Sequence, residues 1–304
     1  MTTVKNMQKR RRKRVGVEPL IFHAINFTFL FLLCAAMIYP ILNTVAISFN
    51  DGLDAVRGGI GIWPREFTVE NYRTVFNMHT IPRAFQVSVA RTVVNVVLNI
   101  LFTSMLAFAI SRSDFVFRKP ITLIAVLTMY FNAGLIPNFI LIQSLGLMNT
   151  FAVYWVPSLI SAFNLILIRT YMRGVPESLV ESARLDGAGD FRIYWQVIMP
   201  LCKPTLATVA LFVAVGAWND WWVNFLYVQR PDLQVLQREL MRLMEMAAAG
   251  QQAQAAVQAG MGNVVTPLVL RSTITVVAAV PILLVYPFLQ KYFVQGVQLG
   301  GVKE

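Results

Sequence analysis

Charge is what this 304-residue sequence has least of: Asp, Glu, Lys and Arg together make up 13% of it, against about 25% in soluble globular domains. A water-soluble fold is therefore not expected. Histidine and cysteine are scarcer still, with two of each. His23 and His79 have no partners readable from spacing, so neither is read as a ligand or base. Cys34 and Cys202 stand 168 positions apart without metal-ligand spacing, which predicts two inert thiols rather than a disulfide or zinc site. The phosphate-cradling pattern G-x-x-x-x-G-K-[ST] is missing, which excludes nucleotide binding by that route. No His-rich set, carboxylate pair or nucleophile–base pair has convincing spacing, so a membrane enzyme is disfavoured.

What the chain does have is apolar residues, 57% of the total, in long runs without alternation. About 20 apolar residues cross a hydrocarbon core roughly 30 Å thick, and there only helices or closed barrels satisfy their own backbone. Unalternating runs predict helices. The fold class expected is an all-α membrane protein with six transmembrane helices, near 21–49, 88–110, 121–142, 152–172, 205–228 and 273–293. Gly134 and Pro137 in NAGLIPNF are expected to bend or break the third.

The formal charge of +11 has its densest cluster in KRRRKR, Lys9 to Arg14, ahead of the first run. One reading is a topogenic cluster held in the cytoplasm, the other a contact with lipid or other anions. The cluster is too basic and the run after it too long for a cleaved signal peptide. Seven Lys and Arg precede the first span, and Arg112, Arg118 and Lys119 lie between spans two and three, whereas SLGLMNT between spans three and four has none. The positive-inside rule then puts both termini in the cytoplasm. Residues 1–20 form a basic cytoplasmic segment and 21–304 a transmembrane domain, with outer loops near 50–87 and 229–271 and an inner loop near 174–203.

That inner loop contains ESARLDGAGDFRIYWQVIMP, Glu181 to Pro200. Pro176 suits the first turn of a helix and Glu177 its positive end; Gly187 can take the left-handed conformation that ends it. Asp190 then caps a second short helix, FRIYWQVIM, closed by Pro200. Two short helices hinged at glycine, too polar for lipid, suggest an element that docks in a partner's groove.

The stretch resembles the EAA loop of permease subunits in ATP-binding-cassette importers: Glu-Ala-Ala, then Asp-Gly-Ala, then a hydrophobic stretch closing on Pro. Glu181, Ala183, Asp186, Gly187, Ala188, Ile198 and Pro200 meet the pattern, and Ser182 keeps a small residue where the family has Ala. FNAGLIPNFILIQSLGLMNTF, SAFNLILIRTYMRGVPESL, GAWND and YPFLQKYFVQGVQLGGVKE are similar to the carbohydrate-uptake branch, the maltose-type permeases, so the resemblance covers nearly the whole chain. It implies a type I importer in the bacterial inner membrane. Its partners would be a second permease, two ATP-binding subunits that hold ATP and Mg, and a periplasmic solute-binding protein. This chain would bind no cofactor, no metal and no nucleic acid. Glu181, Ser182, Ala183, Asp186, Gly187 and Ala188 would couple it to the ATPase. The cargo would be a sugar or oligosaccharide, with alginate oligosaccharide as the particular expectation; the net positive charge does not bear on that, because its main cluster faces away from incoming sugar. The rival class is an ion-coupled secondary transporter, with Arg91 and Asp220 as coupling groups.

Within the spans, Arg91, Asn95, Asn99 and Thr103 recur every four residues, which gathers them on one helix side. Such groups face the bundle or a wet cavity, so interhelical hydrogen bonding and sugar contact are both open. GAWNDWW sets Asp220 beside Asn219, Trp218, Trp221 and Trp222, either stacking surfaces for sugar or an interfacial aromatic belt. The substrate-pathway set expected is Asn95, Asn99, Asn132, Trp218, Asn219 and Asp220. Ala207, Ala210, Ala214 and Ala217 form a small-residue stripe for close helix packing. The polar run MEMAAAGQQAQAAVQAGMGNVV is a linker or, by resemblance, a loop that reaches the binding protein.

Overall fold

The computed structural model describes residues 17–78, 80–248 and 265–301. The basic run Lys9–Arg14, His79 and most of the polar outer run, 249–264, lie outside the described residues. The helices are α1 (Val17–Ser48), α2 (Gly52–Val56), α3 (Glu70–Asn77), α4 (Thr80–Ser111), α5 (Arg118–Tyr130), α6 (Leu135–Ser144) and α7 (Ala162–Arg173). There follow α8 (Glu177–Leu185), α9 (Asp190–Arg192), α10 (Met199–Leu201), α11 (Lys203–Asn219), α12 (Trp222–Tyr227), α13 (Leu236–Ala248) and α14 (Pro267–Gly301). No strand occurs among the described residues, only a single β-bridge between Asn50 and Phe67.

Three stretches, Ile21–Ser48, Thr80–Ser111 and Pro267–Val285, are long and apolar enough to cross a membrane alone. Two bent pairs raise the number to five: Phe151–Ser158 with Ala162–Arg173, at 48°, and Asp190–Leu201 with Lys203–Asn219, at 81°. The third expected span is the one left over, because it is broken where Gly134 and Pro137 foretold. Its halves α5 and α6 have 13 and 10 residues, about 20 and 15 Å of helix. Gly134 stands at φ 86°, a left-handed conformation open to glycine. α4 starts eight residues ahead of its expected boundary at Ser88, because Pro82 falls in its first turn, where the lost N–H had no helical acceptor.

α4 is the hub, packed against α11, α7, α13 and α5. Its inner half, through Ala107 and Ile110, joins Leu165, Ile168, Met172, Ile193, Ile198 and Val209 in one apolar core. Its outer end, through Ile81, joins Val75, Trp218, Leu236, Leu270 and Ile274 in another. α1 is different: it meets α14 through its outer end, where Ala46 and Ser48 are buried, while residues 21–42 are exposed on every side.

Outside the bundle, Asn50 organises a small cap over 49–72. Its Nδ2 donates to the Asp54 carboxylate at 2.9 Å and its Oδ1 accepts from the N–H groups of Arg65 and Glu66, while Arg65 Nε donates to Asp54 at 3.0 Å. The Asn50 hydrogen bond above all, with Arg65 behind it, holds the Asp54 carboxyl below its ordinary range against the opposing effect of burial. A carboxylate with lowered folded-state pKa stabilises at pH above its unfolded value and loses that contribution as pH falls through the lowered one. Acidification below about pH 4 is therefore expected to lower the protection of the α2 amides relative to their intrinsic exchange rates, and Asp54→Asn to abolish this acid step. Protection indifferent to pH in the native chain would contradict the assignment.

Candidate functional site

Two constellations stand out on the α4–α7–α11 core, one around α8 and one around the break at Asp220. At the first, Pro176 is the N-cap of α8, one position earlier than expected, and Glu177 is in the first turn. Val180 is 3% exposed, and Ala183 and Ala188 pack against the same core as Ile193 and Ile198. The turn that closes α8 is a Schellman motif: Gly187, at φ 78°, donates to the Arg184 carbonyl at 3.0 Å, and Ala188 donates to the Ala183 carbonyl at 2.9 Å. The outward face carries Glu181, Ser182, Asp186 and Gly187, all exposed, together with Leu185 at 89%. Leu185 was not singled out from sequence; an isolated leucine between Arg184 and Asp186 in a polar loop is the signal it left.

The second helix departs from its expected form. Gly189, not Asp190, is the N-cap, and Asp190 lies in the first turn, where its carboxylate accepts from Arg184 at 3.3 Å. Arg184 also reaches Asp114 at 3.2 Å, which ties α8 to the loop after α4. FRIYWQVIM is not one α-helix, because Ile193–Ile198 is a π-helical turn. Pro200 does not close it either: it sits in the first turn of α10, where its missing N–H is no loss, and the chain bends at Cys202 instead. Beside α8 lies a cavity of about 400 Å³, whose lining includes Arg112, Asp114, Arg184, Phe191 and Tyr194.

At the second, the polar stripe of α4 meets the irregular stretch that precedes α7. This stretch runs as 3₁₀ turns, Phe151–Tyr154 and Val156–Ser158, so its carbonyls lack α-helical partners at membrane depth, where each orphan is costly. Asn95 Nδ2 donates to the Tyr154 carbonyl at 2.9 Å, Asn99 Nδ2 to the Ser158 carbonyl at 2.7 Å, and Thr103 Oγ1 to the Leu159 carbonyl at 3.3 Å. Ser158 Oγ donates in return to Asn95 Oδ1 at 2.6 Å. Interhelical hydrogen bonding is thus what the four-residue spacing achieves. Tyr154, Ser158, Ser161 and Asn164 were missed from sequence, although Pro157 within an apolar run is a visible warning of a break.

Asp220 occupies a second break, between α11 and α12. Its Oδ1 accepts from the N–H groups of Trp222 at 2.9 Å and Val223 at 3.3 Å, which caps α12, while its Oδ2 pairs with Arg91 Nη2. Arg91 Nη1 donates to the Asp220 carbonyl, and the guanidinium lies 4.6 Å from the centre of the Tyr154 ring. Tyr154 Oη in turn donates to the Leu233 carbonyl at 2.6 Å. A pocket of about 410 Å³ opens here, with Arg91, Asn95, Asn99, Asn164, Gly216 and Asp220 in its wall.

Of the pathway residues expected from sequence, the structure brings Asn95, Asn99 and Asp220 to this pocket and leaves three elsewhere. Trp218 is 7% exposed, donates from Nε1 to the Ala278 carbonyl at 3.0 Å and packs edge-on against Phe85, so it joins α11 to α14. Asn219 is exposed and donates to the Val215 carbonyl one turn back. Asn132 is exposed, and its Oδ1 accepts from Gly134 N–H at 2.8 Å, which holds the bend between α5 and α6. The alanines of the α11 stripe are half-buried.

An all-helical bundle with apolar spans, an exposed helical turn at α8 and a polar pocket at the Asp220 break is the architecture of a membrane permease subunit. The chain belongs to the binding-protein-dependent transport system inner membrane components, whose family model matches residues 115–299. It is 33% identical over 286 residues to the polygalacturonan/rhamnogalacturonan transport system permease protein YtcP of Bacillus subtilis (strain 168), covering 93% of this chain and 98% of that one. It is 29% identical to the arabinooligosaccharides transport system permease protein AraQ of Halalkalibacterium halodurans, covering 94% and 98%. Among solved structures it superposes on a chain of a bacterial ABC transporter involved in the import of the acidic polysaccharide alginate, with TM-score 0.85, 28% identity and coverage of 92% of this chain and 99% of that one.

Proposed function

We propose that the chain is one of two permease subunits of an ATP-driven importer, and that its cargo is an oligosaccharide received from a periplasmic binding protein. Similar proteins carry polygalacturonan or rhamnogalacturonan, arabinooligosaccharides and alginate in their names, and the pocket wall of amides and hydroxyls suits a sugar. The observation that carries the energy-coupling part is the α8 turn: Val180, Ala183 and Ala188 root it in the core of α4, α7 and α11, while Glu181, Ser182, Leu185, Asp186 and Gly187 face outward. A partner that grips this face moves the bundle. Two such partners, carrying ATP and Mg, would hydrolyse the nucleotide and close together. Both termini and the 174–203 loop belong to the cytoplasm on the same reading, with 50–87 and 229–271 outside. The second permease would cover residues 21–42 of α1, which nothing among the described residues covers.

The pairing of Arg91 with Asp220 counts against ion coupling, since each already neutralises the other. Uptake of labelled oligosaccharide into sealed vesicles is expected to require ATP on the cytoplasmic side and to survive collapse of all ion gradients. Uptake that follows the gradients and ignores ATP would overturn the proposal.

A further inference from the structure

The pocket at the Asp220 break holds a guanidinium with more donors than acceptors. Arg91 is 3% exposed, and Asp220 takes its Nη1 and Nη2, yet its Nε is buried without any acceptor. A guanidinium presents five N–H donors in a rigid fork that fits planar oxyanions two at a time. Asp220 occupies the end-on pair; the side-on pair, Nε with the second hydrogen of Nη2, has none of its own. The two partners are also unequally placed. The Asp220 side chain is 30% exposed and the Arg91 side chain 3%, so the acid stands on the open side of the pair and the base behind it. Only Oδ2 of Asp220 is engaged by Arg91, because Oδ1 caps α12.

We infer that Arg91 is the residue by which this permease reads a carboxylate on its cargo, and that the oligosaccharide carried is therefore a uronate-bearing one. Nε is covered while the pair is intact, so the cargo carboxylate reaches the Nε and Nη2 edge only by displacing Asp220 Oδ2, one anion exchanging for another on the same cation. Asp220 Oδ1 goes on capping α12, so the break between α11 and α12 survives the exchange. Asn99 and Asn164, which share the pocket wall, meet ring hydroxyls. A neutral sugar offers Nε only hydroxyl and ring oxygens, which carry no charge to replace that of Asp220, so Arg91 stays with Asp220. The inference rests on the oligosaccharide reading above and narrows it to an acidic class.

The test uses the complete transporter in proteoliposomes with its binding protein. The probes are an oligogalacturonate and the same oligosaccharide with its carboxyls reduced to alcohols. Because the binding protein is common to every arm, a change in the acidic-to-neutral uptake ratio belongs to the permease. Arg91→Gln is expected to lower that ratio by about tenfold or more, the scale of a lost charge-assisted pair. Asp220→Asn retains an oxygen for capping Trp222 and Val223 but removes the competing anion, and is expected to lower the half-saturating concentration of the acidic probe alone. That second variant decides the matter if Arg91→Gln does not assemble. An unchanged ratio in Arg91→Gln, or equal effects of Asp220→Asn on both probes, overturns the inference while leaving the oligosaccharide reading intact. Failure of the native transporter to move either probe, with its ATPase active, overturns both.

Discussion

Gly187→Val is expected to cut the sugar moved per ATP hydrolysed by about tenfold, whereas Gly187→Asn leaves it near the native value. The reason is backbone conformation and not crowding. Gly187 sits at φ 78°, and a Cβ built there meets nothing within 4 Å. A left-handed residue costs about 1–2 kcal/mol once a Cβ is present, and a β-branched side chain is worse, while asparagine visits this region readily. A cost of this size shifts the population of the native turn by about 5- to 30-fold. What is lost with the turn is the pair of hydrogen bonds, Gly187 to Arg184 and Ala188 to Ala183, which sets Leu185 and Asp186 on the outer face and seats Ala188 against the core. The ATP-binding partners would then hydrolyse against a lever whose end has slackened. Parallel measurement of hydrolysis and uptake in proteoliposomes checks this, with Asn as the control for side-chain size. Full coupling in the valine variant would remove the turn from the transmission.

Asn95→Leu is expected to lower the thermal midpoint of the detergent-solubilised transporter by several degrees. Leucine keeps the branching of asparagine at Cγ but puts methyls in place of both amide heteroatoms, so both hydrogen bonds go. The Tyr154 carbonyl, 2.9 Å from Asn95 Nδ2, would lose a buried partner at about 1–3 kcal/mol, while Ser158 Oγ, 2.6 Å from Asn95 Oδ1, is exposed and keeps the Trp155 carbonyl at 3.2 Å. Thr103→Val should cost less, because its contact with the Leu159 carbonyl is 3.3 Å long. Protease cleavage between Phe151 and Ser161 is the local reading of the same event. A melting temperature equal to the native one would show that the 3₁₀ stretch is held by apolar packing alone.

These two positions also mark what sequence makes legible and what it hides. Gly187 could be placed in a left-handed turn from sequence because the turn is local: four or five residues contain its whole cause. The spacing of Arg91, Asn95, Asn99 and Thr103 was equally readable, since one helix sets it. Their partners were not, because those are backbone carbonyls, which every residue has, in a run apolar enough to pass for an unbroken span. The same limit hid the partner of Trp218. Its position beside Asp220 is plain, but the break at Asp220 decides that the indole turns toward α14 while the carboxylate turns toward Arg91. The π turn at Ile193–Ile198 left no mark in composition at all. Six crossings were expected by adding up apolar runs; three to five are long and apolar enough among the described residues, and the run not among them is the one that Gly134 divides into α5 and α6.

α1 carries a consequence for the cell as much as for the fold. Among the described residues none covers positions 21 to 42, so in a copy made in excess this helix is clothed by lipid alone until another subunit packs on it. Quality-control proteases remove such orphans. The abundance of this subunit is therefore expected to track whichever companion is scarcer, and not the rate at which its own message is translated.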